Sequence, residues 1–277
     1  MERREVRHGV HFNLRAKISG LEIIRFHGFG NETTIPGPRS FYRVRTTMSD
    51  LTLGLAYEPT SQWELRLETV GRVSNTDDDG TTLLVSLGTG LYGAGTFGQL
   101  GLGGSFRFDT RDRKVASTKG VVVTGGGTLW GPFVDVTDTF AEVHGEASVY
   151  LTAGPTLALR AGGRKVFGTF PFQDAAYLGG ASTLRGFAEH RFAGDAAIYG
   201  NAEFRFRVTR LRIIFPGDLG LFALGDVGRV YPGGNTLHTA FGGGVWLSLL
   251  APENTLSVAI ATSDERTGVY VQSGFLF

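Results

Sequence analysis

QWELRLETVGRV, Gln62 to Val73, decides the fold. Trp63, Leu65 and Leu67 alternate with Glu64, Arg66 and Glu68, and Arg72 continues the charged set. A period of two is that of a β-strand, which sends successive side chains to opposite faces. Taken alone, the strand also suits a soluble sandwich with its charges toward water. Repetition separates the two readings. Phe97 to Asp109 sets Leu100, Leu102, Phe106 and Phe108 against Gln99, Ser105, Arg107 and Asp109. Phe140 to Leu151 sets Ala141, Val143, Ala147, Val149 and Leu151 against Glu142, His144, Glu146 and Tyr150. Thr156 to Lys165 sets Leu157, Leu159 and Ala161 against Arg160 and Arg164, and Tyr199 to Arg207 sets Ala202, Phe204 and Phe206 against Asn201, Glu203, Arg205 and Arg207. Charged faces repeated this often, on segments of about ten residues joined by turns, are the signature of a transmembrane β-barrel with an apolar outside and a polar lumen.

Further strands read at Leu219 to Val230, Thr239 to Leu249, Thr255 to Thr262 and Gly268 to Phe277, and no stretch shows a convincing helical period. Val6 to Ile18 predicts a strand, with Ser19-Gly20 a tight turn into Leu21 to Phe29. From Phe41 to Tyr57 the apolar set shifts from Tyr42 and Val44 to Leu51, Leu53, Leu55 and Tyr57, which predicts one long strand interrupted by a bulge. Connections alternate between short (Glu58 to Ser61, Ala153 to Pro155, Ala251 to Asn254) and long (Gly30 to Ser40, Asn75 to Gly95, Val166 to Asp195). Short inner turns and long outer loops are the barrel habit. Val208 to Asp218 stands out as a longer inner connection. The expected fold is an all-β transmembrane antiparallel barrel of about 12 strands, an even number being the rule. It forms one domain over residues 1–277, with 1–20 the least defined part.

Composition narrows the function. The 27 basic and 26 acidic residues are scattered without blocks, so nucleic acid is not an expected partner. No cysteine is present, which removes disulfides, thiolate zinc sites and cysteine nucleophiles. The 42 glycines sit inside alternating stretches such as Gly98 to Gly104, the mark of crowded or twisted strands rather than linkers. No run reaches the roughly 18 apolar residues of a membrane helix, so any span must be a strand. Met1 to Arg7 carries charge without an apolar run behind it, so no secretory signal is visible.

Enzyme and cofactor motifs fail on context. Gly88 to Gly93 matches G-x-G-x-x-G after the apolar run Leu83 to Leu87, yet the following Thr96 to Asp109 has strand periodicity, whereas a dinucleotide site needs a helix N-terminus there. His144 and Ser148 share a strand face, but residues four apart on a strand stand about 13 Å from each other and cannot form a nucleophile and base pair. The six histidines lack metal-ligand spacing. No catalytic residue, cofactor or metal is expected.

The remaining stretch is LGGASTLRGF, Leu178 to Phe187, where leucine and phenylalanine flank an arginine in a loop. Such a loop folds back onto something rather than facing water. With YGNAEFRF (Tyr199 to Phe206) and FALGDVGRV (Phe222 to Val230), it resembles the bacterial surface antigen superfamily of outer-membrane barrels, which includes the barrel assembly factors and the two-partner secretion transporters. The resemblance covers about Phe41 to Phe277. It implies that the loop motif Leu184, Arg185, Gly186 and Phe187 enters the lumen and that Arg185 meets carboxylates of the following strands, Asp226 first and Glu203 nearby. Periodicity places Glu203 on the polar face of its strand but leaves Asp226 open, since Phe222 and Leu224 share its face. The competing readings are an exposed Arg185, or a pair that only staples the loop. FDTRDRKVASTKG, Phe108 to Gly120, is similar to the family's aspartate-rich inner turn and needs no chemistry beyond turn capping. Phe275 and Phe277, read on the lipid face with Val269 and Val271, resemble the C-terminal signal presented to the barrel assembly machinery.

The family implies the bacterial outer membrane, lipid around the wall, and a non-enzymatic role in inserting or translocating a polypeptide substrate. The alternatives are a passive pore or structural barrel, or the membrane anchor of an upstream catalytic domain. The chain departs from the family in showing no periplasmic domain and fewer strands than usual.

Overall fold

The computed structural model describes residues 2–7, 9–35, 37–77, 83, 91–212 and 216–277. Gly88 to Gly90 and residues 84–87, the glycine motif and most of the run before it, lie outside the described residues. The wall begins with β1 (Glu2–Arg7), β2 (Val10–Arg25), β3 (Arg43–Thr60) and β4 (Trp63–Asp77). It continues through β5 (Thr96–Asp109), β6 (Gly120–Trp130), β7 (Phe140–Thr152) and β8 (Thr156–Phe167). A long loop carrying the short strands β9 (Ala176–Leu178) and β10 (Phe192–Gly194) follows. The wall resumes with β11 (Ala196–Arg212), β12 (Pro216–Tyr231), β13 (His238–Leu249), β14 (Thr255–Thr262) and β15 (Thr267–Ser273). Thirteen of these strands form one antiparallel sheet in chain order, with β8 pairing β11 across the inserted hairpin, and β9 and β10 pair only with each other. Among the described residues no ladder joins β1 to β15.

The two faces of the sheet divide as the alternation predicts. Leu67, Leu102, Ile260 and Val269 stay half or more exposed on the outside. An apolar surface of this extent needs a hydrocarbon partner rather than water. The inner face collects Arg72, Gln99, Arg160, Asn201, Glu203, Arg205 and Asp226, most of them buried.

Several elements differ from the sequence expectation. The chain does not turn at Ser19-Gly20; β2 runs through, and the ladder with β3 slips by one residue between Ser19 and Glu22. The bulge expected in Phe41 to Tyr57 therefore belongs to the neighbouring strand. β3 keeps an unbroken register with β4 from Arg45 to Tyr57. Its apolar shift has another cause: Val44 faces inward and is apolar because Ile24, Phe26, Phe172 and Ala193 cover it inside the barrel. The inner connection at Val208 to Asp218 also shortens, since β11 and β12 extend to Arg212 and Pro216. Among the described residues the sheet has thirteen strands, close to the expected number of about 12, with Glu2–Arg7 a strand of its own before β2.

The inner turn between β5 and β6 is built by Asp112, whose carboxylate accepts from Thr118 N, Thr118 Oγ1 and Lys119 N at 2.9, 2.7 and 3.1 Å. Burial pushes this carboxyl up, but those hydrogen bonds outweigh it and hold it below the ordinary range.

Candidate functional site

The loop between β8 and β11 fills the lumen, and two opposite charges pin it. The first is Arg185, one of the largest fully buried side chains in the protein. Its Nε and Nη2 donate to the two oxygens of Asp226, both at 2.8 Å, and its backbone N–H donates to the same carboxylate at 3.0 Å. Nη1 donates to Glu203 at 2.6 Å. The other oxygen of Glu203 takes Nε and Nη2 of Arg205 at 2.9 and 2.7 Å. Asn201 bridges the wall to the loop, giving Nδ2 to Asp226 and to the Thr183 carbonyl while its Oδ1 accepts from Arg160. Arg160 adds a bond to the Ser182 carbonyl and lies 3.5 Å from Glu146. The cations Arg185, Arg205 and Arg160 thus face the anions Glu203, Asp226 and Glu146. A buried guanidinium is costly unless its donors are met by carboxylates in bidentate geometry, and this one is met on every side.

The residues around Arg185 explain the motif. Leu184 and Phe187 are buried with Leu178, Phe192, Val230 and Ala240, an apolar collar around the charged centre. Gly186 has φ +85°, and a Cβ there would lie 3.1 Å from Ala240 Cβ and from the Thr262 and Ser263 backbone. Its N–H donates to Tyr270 Oη at 2.7 Å and its carbonyl accepts from Ser263 Oγ at 2.7 Å, joining the loop to β15 and to the turn that follows β14. Asp226 does face the lumen, together with Phe222 and Leu224. These two are apolar because the lumen there holds protein: Phe222 packs edge-on against Phe275 at 5.5 Å.

Phe275 and Phe277 depart from the expected lipid face. β15 ends at Ser273, Gly274 takes φ +79°, and the tail turns inward. The Arg205 guanidinium sits 3.9 Å above the Phe275 ring and 5.5 Å from that of Phe277. Only Val269 and Val271 remain on the outer face. The guanidinium of Arg205 above its ring and edge-on packing against Trp246, 6.0 Å away, give Phe275 better partners than the end of a frayed strand.

The second pin carries no sequence signal. Asp174, buried in a short turn of the same loop, accepts from Arg72 of β4 at 2.9 Å and from Gln99 of β5 at 3.0 Å, with Arg164 of β8 at 3.9 Å. At the outer end Asn31 of the β2–β3 loop donates to the Thr236 carbonyl at 2.8 Å and accepts from Val230 N–H at 3.0 Å. A lone Asp or Asn in a loop reads as turn chemistry, and its partners lie far away in sequence.

The geometry has no nucleophile and base pair at its centre: it is a saturated ion network, suited to holding a loop. Among the described residues no cluster of His, Asp and Glu could hold a metal. The Omp85 superfamily domain matches residues 24–250, which takes in the loop, both of its pins and the strands that bear them.

The chain belongs to the Omp85 superfamily.

As an Omp85 barrel it is a transmembrane protein of the bacterial outer membrane, in line with the resemblance carried by Leu178 to Val230. Among solved structures it is similar to BamA from Haemophilus ducreyi lacking POTRA domains 1-3, with TM-score 0.64 and 12% identity over 95% of this chain. The chain spans 57% of the length of that structure. Matches to the β domain of the Bordetella autotransporter BrkA (14% identity, 95% of this chain, 93% of that one, TM-score 0.33) and to an outer membrane channel from Pseudomonas putida F1 (10%, 95%, 90%, TM-score 0.31) are more distant. A search of curated protein sequences returns no match.

Proposed function

We propose that this Omp85 barrel is a non-enzymatic factor that assists insertion or translocation of polypeptides at the outer membrane, and that the loop between β8 and β11 is its internal stopper. The observation that carries this reading is the grip of Arg185 on Asp226 and Glu203, which fixes a loop across the lumen through side-chain bonds rather than through wall strands. Such a loop can shift without unpairing the sheet. Outer-membrane lipid surrounds the wall, an unfolded polypeptide is the substrate, and the barrel assembly machinery is the partner during biogenesis.

A passive pore is the second reading. A cavity of about 670 Å³ at the inner end, edged by Glu64, Arg66, Arg107, Asp109 and Arg111, favours it. The two separate in vesicles. Wild-type protein co-reconstituted with an unfolded outer-membrane barrel should accelerate that barrel's folding, and Arg185→Ala should change the acceleration. Equal substrate folding with and without the protein, together with a steady conductance indifferent to Arg185→Ala, would leave the pore reading standing alone.

A further inference from the structure

At the outer end, between the β2–β3 loop and the β14–β15 turn, lies a cavity of about 570 Å³ bounded by Arg25, His27, Tyr42, Arg191, Glu265 and Arg266. Its charges do not balance. Glu265 is committed to Arg191, 2.7 Å away, and Arg191 is further occupied by the hydroxyl and the carbonyl of Thr33. Arg25 feels only the half-buried Glu189, with no close ion pair to it, and Arg266 Nε is buried without an acceptor. His27 is 7% exposed, lies flat on the Tyr42 ring at 4.5 Å, and leaves Nδ1 without a hydrogen-bond partner. Three guanidiniums face Glu265 and, beside Arg25, the half-buried Glu189, which leaves the cavity with one cation in excess, a preformed hole for an anion. The imidazole registers the same field: burial and then Arg191 press its pKa from 6.5 to about 4, with Arg25 adding to the effect.

We propose that this cavity binds a phosphate group at the outer mouth of the barrel, held by charge-assisted bonds from Arg25 and Arg266. Guanidinium forks match phosphate oxygens in bidentate geometry, and one phosphate has oxygens enough to engage both forks at once. Inorganic phosphate and the phosphorylated headgroup of an outer-leaflet lipid share this chemistry.

Titration calorimetry on the full chain, folded in an uncharged maltoside detergent, tests the site with three probes: inorganic phosphate, diphosphorylated lipid A in mixed micelles, and the same lipid with both phosphates removed. The phosphorylated probes should bind and the dephosphorylated lipid should not. Arg25→Gln and Arg266→Gln, made singly, should each weaken binding about tenfold, whereas Arg210→Gln, an exposed arginine beside the inner connection, should leave it unchanged. Similar affinity for both phosphorylated probes identifies free phosphate as sufficient, and binding of lipid A alone identifies the headgroup. Equal binding of the phosphorylated and dephosphorylated lipid with none of inorganic phosphate, or equal losses in Arg25→Gln and Arg210→Gln, overturns the proposal. A boiling-dependent gel shift of each variant establishes that it is folded before it is titrated.

Discussion

At the scale of the residue, Arg185 is held by bonds that no other side chain can reproduce. Lysine has one point of charge and cannot serve two oxygens of Asp226 and one of Glu203 together, so Arg185→Lys should behave nearly as Arg185→Ala. Both should leave the wall intact, because Glu203 keeps Arg205 and Asp226 keeps Asn201. The expected outcome is protease cleavage within 178–195 in the variants while the boiling-dependent gel shift is retained. Unchanged resistance of that segment would show that the apolar collar alone holds the loop. Gly186→Ala should destabilise by more than 1 kcal/mol, since it meets both a left-handed backbone and a 3.1 Å contact, and a denaturant midpoint in detergent measures it. The motif around Arg185 and the polar face of Glu203 were legible in the sequence. The inward face of Asp226 was not, because Phe222 and Leu224 look like lipid-facing residues until the tail that covers Phe222 is known. Asp174 was not legible at all: its Arg72 partner lies 102 positions away.

At the scale of the element, alternation succeeded wherever one face meets lipid and the other a polar lumen, as in β4. It misled where the lumen is filled with protein. Val44 and Phe222 are apolar for that reason, and a pattern that assumes a wet interior converts the first into a bulge and leaves the face of the second open. β4 supplies the direct test. Leu67→Arg, on its outer face, should lower stability in lipid by about 2–4 kcal/mol if the position lies near the midplane, while Thr124→Arg on the lumen face of β6 should cost far less. Comparable losses from the two would mean that the faces are assigned the wrong way round. The tail after β15 was misjudged because periodicity carries no information about Gly274, whose φ of +79° ends the strand. Phe275→Ala should therefore act inside the barrel, altering the packing of Trp246, and the expected readout is a shift in tryptophan emission that an outward Val271→Ala does not produce.

At the scale of the whole molecule, the wall was readable from local pattern and the contents of the lumen only partly so, because the ties among its loops join segments remote in sequence. Arg191 illustrates this, joining the inserted loop to Thr33 on one side and to Glu265 on the other. The outer end is also where the molecule should sense acid. His27 has a folded pKa of about 4 against an ordinary 6.5, so the unfolded chain takes up a proton that the folded one refuses. Its contribution to stability is full above pH 6.5 and declines as the pH falls toward 4. Denaturant midpoints taken at pH 7.5 and pH 4.5 should differ, and His27→Gln should reduce the difference; an identical drop in both proteins would place the acid sensitivity elsewhere. The arrangement at Asp226 also has a mechanical meaning. One carboxylate grips the backbone amide, Nε and Nη2 of Arg185, so a pull on the loop loads three bonds anchored to a single side chain. They yield together rather than one after another. A strand of polypeptide tugging on this loop would meet a latch with a force threshold, closed against small thermal displacements and released all at once when the threshold is passed.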